Sequence, residues 1–275
     1  MSIREDWLNA ITCGDCFKLL RELPDECVDL VLTDPPYGID YQSNRRTARD
    51  KLPKFANDQS LDWVSDWVDE IHRVLKNDTH FYCFTRYDTY PLFFSEISRR
   101  FEVKNCLIWV KNNHGSGDLN GSYAPQYEMI IFAHKGKRHL NGKRDPDVME
   151  CDNVPSAHRF HSTQKPVELL RVLIEKSSDP GDIVLDPFAG TGSAGLACKA
   201  ASHHDGDGHE RNFVLFELNP EFVAKARAGG LGRQMQLIDV KRDKKKLQDP
   251  KLRATIRPKR YVARKDQTLW LAFDS

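Results

Sequence analysis

The feature that most constrains this chain is an alternation of short apolar runs with amphipathic segments, sustained from near its start to about residue 228. "NAIT" ends at Gly14 and Asp15, and "CFKLLREL" then reads as a helix leading into Val28, Leu30, Val31 and Leu32. That run is apolar on both faces, the pattern of a strand buried beneath helices in a parallel sheet. In "SLDWVSDWVDEIHRVLK", Leu61, Val64, Val68, Ile71 and Leu75 make one helical stripe behind Ser60 as its cap. Strand "HFYCF", helix "PLFFSEISRR" and strands "NCLIWVK" and "YEMIIFAHK" follow, the last two separated by a Gly/Asn-rich loop from Asn112 to Gly121. A further helix is expected from about Pro166 to Lys176, then strand "DIVLD", a glycine turn, helix "SAGLACKAA", strand "FVLFE" and helix "PEFVAKARA". Asn219 is placed to cap that last helix, with Pro220 at its first position. Such alternation predicts an α/β fold: a mostly parallel sheet with helices on both faces.

The chain's 275 residues are enough for a substantial core, and 40% hydrophobic with 29% charged residues fits a soluble globular protein. No apolar run reaches the roughly eighteen residues of a membrane span, and no basic-then-apolar leader precedes the first strand. Seven scattered cysteines suggest reduced thiols in a cytoplasm. Cys13 and Cys16 in "TCGDC" have redox or metal spacing, but no second pair answers them, so the spacing is read as coincidence. "SHHDGDGHERN", residues 202 to 212, reads as an exposed insertion with three histidines, solvated rather than metal-binding.

A net charge of +1 hides an uneven distribution. Between Lys241 and Lys265 there are twelve Lys or Arg residues against two acids, Asp243 and Asp249, so the remainder is net acidic. The segment is a candidate phosphate-binding surface, with a solvated tail as the plain alternative. Arg45, Arg46, Arg49, Lys51 and Lys54 form a second, milder basic cluster in a stretch without periodicity.

Two stretches carry chemistry. In "VDLVLTDPPYGIDYQS" a buried strand stops at Asp34, and Pro35 and Pro36 then withdraw two backbone donors and stiffen the turn. Asp34 and Tyr37 are thereby held still at the carboxyl end of a strand, where ligands bind in open α/β sheets. In "DIVLDPFAGTGSAGLACKA", Gly190, Gly192 and Gly195 have the spacing that lets a helix begin close against a ligand, between a strand and a helix as that reading requires. The next strand ends at Glu217, where a carboxylate can accept both hydroxyls of a ribose. A tight turn without a ligand is the alternative.

"DPPY" early, "HSTQKP" before a helix, then "DPFAGTG" and "ELNPEF" late, resemble the β-class of DNA amino-methyltransferases over residues 8 to about 228, with the two halves in that class's circularly permuted order. The resemblance implies a Rossmann-like methyltransferase sheet and transfer of a methyl group from S-adenosyl-L-methionine to adenine N6 in double-stranded DNA. It implies Asp34, Pro35, Pro36 and Tyr37 as the catalytic turn, with Asp34 and the Pro35 carbonyl accepting from the amino group and Tyr37 stacked on a flipped base. Asp186 and the backbone from Phe188 through Ala189 and Gly190 to Gly192 fall beside the cofactor's methionine portion. Glu217 falls on its ribose, with Asn219 beside it, and Asp15 near its adenine. Lys165 either neutralises the cofactor carboxylate or is a surface lysine at a helix start. No metal is implied, because a sulfonium is already activated.

The expected organisation is a methyltransferase domain over residues 1–236 and a basic DNA-binding extension over 237–275. Arg45, Arg46, Lys244, Lys245, Lys246, Arg257, Lys259 and Arg260 are the candidate DNA contacts. Only about residues 136–160 remain for a recognition segment, and Ser193 and Ala194 stand where the family usually has threonine. A homodimer and a cognate restriction endonuclease are open expectations, as is a cytoplasmic location. Cytosine N4 is the nearest alternative target, since Asp34 rather than serine favours adenine. An NAD-dependent oxidoreductase would use the glycine turn but leaves "DPPY" unexplained. A non-catalytic DNA-binding protein rests on the basic tail alone.

Overall fold

The structure, a computed structural model, describes residues 2–37, 61–115, 120–154, 164–205 and 210–231. The basic cluster at residues 45–54, the cap at Ser60 and the whole of the extension from residue 237, with every candidate DNA contact, lie outside these residues.

The strands are β1 (Ala10–Cys13), β2 (Val28–Thr33), β3 (Leu75–Thr85), β4 (Glu102–Val110), β5 (Tyr127–Lys135), β6 (Val148–Glu150), β7 (Ile183–Asp186) and β8 (Asn212–Glu217). They form one sheet in the order β1-β8-β7-β2-β3-β5-β4-β6. Every neighbouring pair is parallel except the two made by β5, which runs against both β3 and β4. The helices are α1 (Cys16–Glu22), α2 (Val64–Val74), α3 (Tyr90–Ser98), α4 (Val167–Ser177), α5 (Ser193–Asp205) and α6 (Pro220–Ala226). None of those described is long and apolar enough to cross a membrane.

The two-faced strands explain the layering. Leu30 and Leu32 of β2 pack with Leu169 and Leu173 of α4, Ala197 of α5 and Val223 of α6. Val28 and Val31 of the same strand pack on the other face, with Leu20 of α1, Trp67 and Ile71 of α2 and Phe93 of α3. Alternate residues of β3, β5 and β8 divide in the same way. The chain leaves β7 through α5 to β8 on one side and reaches β3 from β2 through α2 on the other. The β7/β2 junction is therefore the point where the winding reverses, and its carboxyl edge is where a ligand is expected.

The antiparallel strand adds to that edge. Because β5 is reversed, its amino end meets the carboxyl ends of its neighbours, with Met129 opposite Thr85, Glu128 opposite Trp109 and Tyr127 opposite Val110. Residues far apart in sequence, Lys111 just past β4 and Glu128 near the start of β5, thus arrive beside the end of β2.

Several expectations are corrected. The stripe from Leu61 to Leu75 is split: α2 begins at Val64 after Trp63, and Leu75 already opens β3, which is longer than "HFYCF". No strand is expected within residues 136–160, yet β6 lies there, pairs with β4 and extends the sheet. Residues 202 to 212 are not an exposed insertion at their ends, since α5 continues to Asp205 and both Ser202 and Arg211 are buried. The Arg211 guanidinium holds the end of α4, donating to Ser178 Oγ at 2.9 Å and to its carbonyl at 3.0 Å. Its amide donates to Ser202 Oγ at 2.7 Å. The side chains of residues 203–209 are outside the described part. The seven cysteines are all unpaired thiols.

Candidate active site

One half of the carboxyl edge is the turn after β7. Ala189 donates to the Phe216 carbonyl at 2.9 Å, which ties the turn to β8. Gly190 has φ +55° and Gly192 has φ +81°, backbone that side chains rarely adopt. A Cβ on Gly192 would lie 2.1 Å from Leu231 Cδ1, so the leucine would have to move, and with the positive φ this favours glycine there. A Cβ on Gly190 would meet nothing within 4 Å, so the space beside this turn is open. Thr191 Oγ1 is buried without a hydrogen-bond partner among the described residues.

Glu217, at the end of β8, holds the turn in place. Its Oε2 accepts from Gly190 N and its Oε1 from Asn219 N, both at 2.8 Å. Burial pushes its carboxyl up, and the backbone donors from Asn219 and Gly190 pull it back. Each oxygen retains a second acceptor direction. Asn219 caps α6, accepting from Glu221 N at 2.9 Å, with Pro220 following as the sequence predicts. Asp15, at the end of β1, caps α1 by accepting from Phe17 N at 2.9 Å.

Asp186 joins this half to the next. Its Oδ1 accepts from Thr33 Oγ1 at 2.8 Å and from Phe188 N at 3.1 Å. Thr33 is the residue before Asp34, so this hydrogen bond links the glycine-turn strand to the proline turn. Burial pushes the Asp186 carboxyl up to about 7. The fold therefore retains a proton that the unfolded chain has lost, and stability falls as pH rises from about 4 to about 7. Asp186→Asn keeps an acceptor for Thr33 and Phe188 without the charge. In cofactor-free thermal unfolding its advantage over the wild type should grow from pH 4 to pH 7 and then level off, at no more than about 4 kcal/mol. A pH-independent difference would remove the buried acid as the cause.

The other half surrounds Asp34, directly after β2. Tyr37 donates its hydroxyl to Asp34 Oδ1, and Lys165 Nζ donates to Asp34 Oδ2. Pro35 is buried and Pro36 half-buried, so the turn is pinned from behind. Lys165 is only 6% exposed, which excludes the surface reading of this residue; the structure places it on the Asp34 carboxylate. It is delivered there by Pro166, which precedes α4, the helix packed over β2.

Behind Lys165 stands Glu128, with its Oε2 at 3.0 Å from the ammonium, and behind that Lys111, which donates to Glu128 Oε1 at 2.6 Å. The Lys165 ammonium also lies 5.0 Å from the centre of the Phe84 ring. Burial pushes the Asp34 carboxyl up, and Lys165 opposes that. Burial alone would lower Lys165, but Asp34 and Glu128 outweigh it and hold the ammonium above its usual range. Burial would raise Glu128, but the two lysines win and hold it low. The site is thus a half-buried ladder of alternating charges, with Lys165 buried within it, that ends on a carboxylate at the strand edge.

Sequence reasoning missed Thr33, Glu128, Lys111 and Thr191. The one signal for Glu128 was an acid inside the otherwise apolar run "YEMIIF", which a strand buried on both faces tolerates only with a partner.

A model of a family described as DNA methylase matches residues 28–228. The chain is 28% identical over 244 residues to the DNA adenine methyltransferase YhdJ of Escherichia coli (strain K12), an alignment spanning 76% of this chain and 78% of that one. Among solved structures, the M1.HpyAVI–SAM complex superposes with a TM-score of 0.60 at 23% identity, over 80% of this chain and 97% of the other. The PvuII DNA methyltransferase (cytosine-N4-specific) superposes with a TM-score of 0.61 at 17% identity, over 82% and 87%. At these identities the two structures bear on the fold.

Proposed function

The chain belongs to the N6/N4 DNA methylase family, and on that premise we propose that it methylates adenine N6 in double-stranded DNA with S-adenosyl-L-methionine as donor. The observation that supports this reading most is the hydrogen bond that ties Thr33, the residue before Asp34, to Asp186, the last residue before the glycine turn. The open space beside Gly190, the orphaned Thr191 hydroxyl and the Glu217 carboxylate suit the methionine and ribose portions of such a donor. When bound, the donor supplies a methyl group already activated by a sulfonium.

The chain's own work is on the amino group. An adenine amino nitrogen is a poor nucleophile because its lone pair is delocalised into the ring. Asp34 accepts one N–H and the Pro35 carbonyl the other, and the nitrogen is drawn toward a tetrahedral shape with its lone pair free. These acceptors are fixed before reaction, so charge developing on the nitrogen costs little reorganisation. The bound donor would supply the methyl group and keep the electron pair of its carbon–sulfur bond, while Asp34 would take up the N–H proton that the methylated nitrogen sheds and pass it to solvent. Tyr37 stacks on the base, which must leave the duplex to reach the edge. A carboxylate at position 34 and the likeness to an adenine methyltransferase favour adenine over cytosine. Unpaired thiols and a DNA substrate fit a cytoplasmic protein.

Mapping methylated bases in DNA from cells expressing the protein tests the target. N6-methyladenine at a recurring sequence is expected. N4-methylcytosine would move the target to the alternative base, and neither base methylated would sink the reading.

The extension from residue 237 is assigned to DNA phosphates. Lys and Arg dominate it, and such contacts release counterions without reading sequence. Neutralising Lys244, Lys245 and Lys246 should weaken binding to all duplexes alike and reduce the salt slope by about 0.9 for each phosphate no longer neutralised, with the methylation site unchanged. Titrations at several salt concentrations, paired with sequencing of methylated sites, check this. A changed site with an unaltered slope would instead make the extension part of recognition.

A further inference from the structure

Lys165 sits between two carboxylates, and its interactions with them differ. It donates a hydrogen bond to Asp34 Oδ2, whereas Glu128 Oε2 lies at ion-pair distance, 3.0 Å, yet is buried with no well-aligned hydrogen bond among the described residues. The ion pair with Lys165 satisfies the charge on that oxygen and leaves it placed to accept a fuller hydrogen bond from the same ammonium. The surroundings keep Glu128 where it is. Lys111 grips its other oxygen at 2.6 Å. The Lys111 amide donates to the Gln126 carbonyl, and the Gln126 side chain donates back to the Lys111 carbonyl, each at 2.9 Å. The indole of Trp109, opposite Glu128 across the strands, donates to the Cys151 carbonyl at 2.8 Å.

With Lys165 locked on Asp34, one oxygen of that carboxylate is committed and the other receives Tyr37. A substrate amino group must share one of these oxygens with the donor already on it, and competes with that donor for charge although an acceptor direction remains. A second acceptor within reach of the same ammonium relieves that competition, because Lys165 can turn to it without losing its charge partner.

We propose that Glu128, backed by Lys111, is a positioning residue that takes up Lys165 when Asp34 turns to the substrate amino group. This rests on the methyl-transfer reading above. Glu128 does not touch the base; it acts by sharing Lys165, so that Asp34 stays anionic and oriented yet able to accept a new hydrogen bond. Tyr37 alone would leave Asp34 without a counter-charge, and Lys165 alone would hold it too firmly.

The test compares the full-length wild type with Glu128→Gln, Glu128→Asp, Lys165→Met and the Glu128→Gln/Lys165→Met pair. Glu128→Gln should lower kcat about 10- to 100-fold with the S-adenosylmethionine Kd from calorimetry unchanged, and Glu128→Asp should recover part of that activity. In thermal unfolding without DNA, the Glu128 and Lys165 substitutions should be non-additive. Additive shifts would overturn the interaction itself. Coupled shifts with a wild-type kcat in Glu128→Gln would overturn the positioning role, as would a fall in cofactor affinity that tracks the fall in turnover. Absence of methyl transfer by the wild type would remove the parent reading and this inference with it, and is told apart because it appears before any variant is compared.

Discussion

Asp34→Ala is expected to lower kcat by roughly 30- to 1,000-fold, equivalent to about 2–4 kcal/mol in the barrier, and to leave the affinity for S-adenosylmethionine near that of the wild type. The separation follows from geometry. Asp34 binds Tyr37 and Lys165 on the proline-turn side, while the groups assigned to the donor belong to the ends of β7 and β8. Removing Asp34 leaves Lys165 with Glu128 as a remaining carboxylate, so the buried ammonium is not stranded and the fold should persist. Asp34→Asn keeps the shape and one acceptor and should fall between the two. Calorimetry with the donor and a methylation assay on the same preparations check this. Near-normal turnover in Asp34→Ala would remove the catalytic assignment.

Glu217→Ala behaves in the opposite way. It should weaken donor binding by about 1.5–3 kcal/mol, the worth of a hydrogen bond to a charged group, and saturating donor should recover much of the rate. Two effects combine here. On the proposed reading the ribose would lose its acceptor, and the Gly190 and Asn219 amides lose the oxygens that fix the glycine turn. Glu217→Gln retains an acceptor for only one amide and should show a smaller defect. Isothermal titration of each variant decides it, and unchanged affinity in Glu217→Ala would make Glu217 a strand-end acid concerned with the turn alone.

The element order was legible because the strands at the centre are apolar on both faces and the helices between them keep their period. Asn219 and Pro220 announced α6, and the spacing of Gly190 and Gly192 announced a turn that the fold indeed builds with positive φ. What the sequence hid were the consequences of reversing one strand. Nothing in "YEMIIFAHK" states that it runs against its neighbours, so Glu128 and Lys111 could not be placed beside Asp34. Lys165 was legible as part of a motif but not as a partner, since the pairing spans 131 residues of chain. β6 is three residues long, with no periodicity to find. Arg211 looked like part of a polar loop because a buried guanidinium is recognisable only from the carbonyl and hydroxyl that satisfy it.

The carboxyl edge therefore holds two kinds of polar group. On the β7 and β8 side, carboxylates are satisfied by backbone amides and by Thr33, and they shape a turn. On the β2 side, the Asp34 carboxylate is satisfied by side-chain donors, Tyr37 and Lys165, that can yield to a substrate. On the proposed reading, the first side holds the cofactor and the second carries the chemistry.

The most direct test of this account is to incubate the purified chain with methyl-labelled S-adenosylmethionine and unmethylated duplex DNA, digest the DNA and locate the label among the nucleosides. The account predicts label on adenine N6, absent with Asp34→Ala. DNA without label, from a protein that binds the donor, would contradict it.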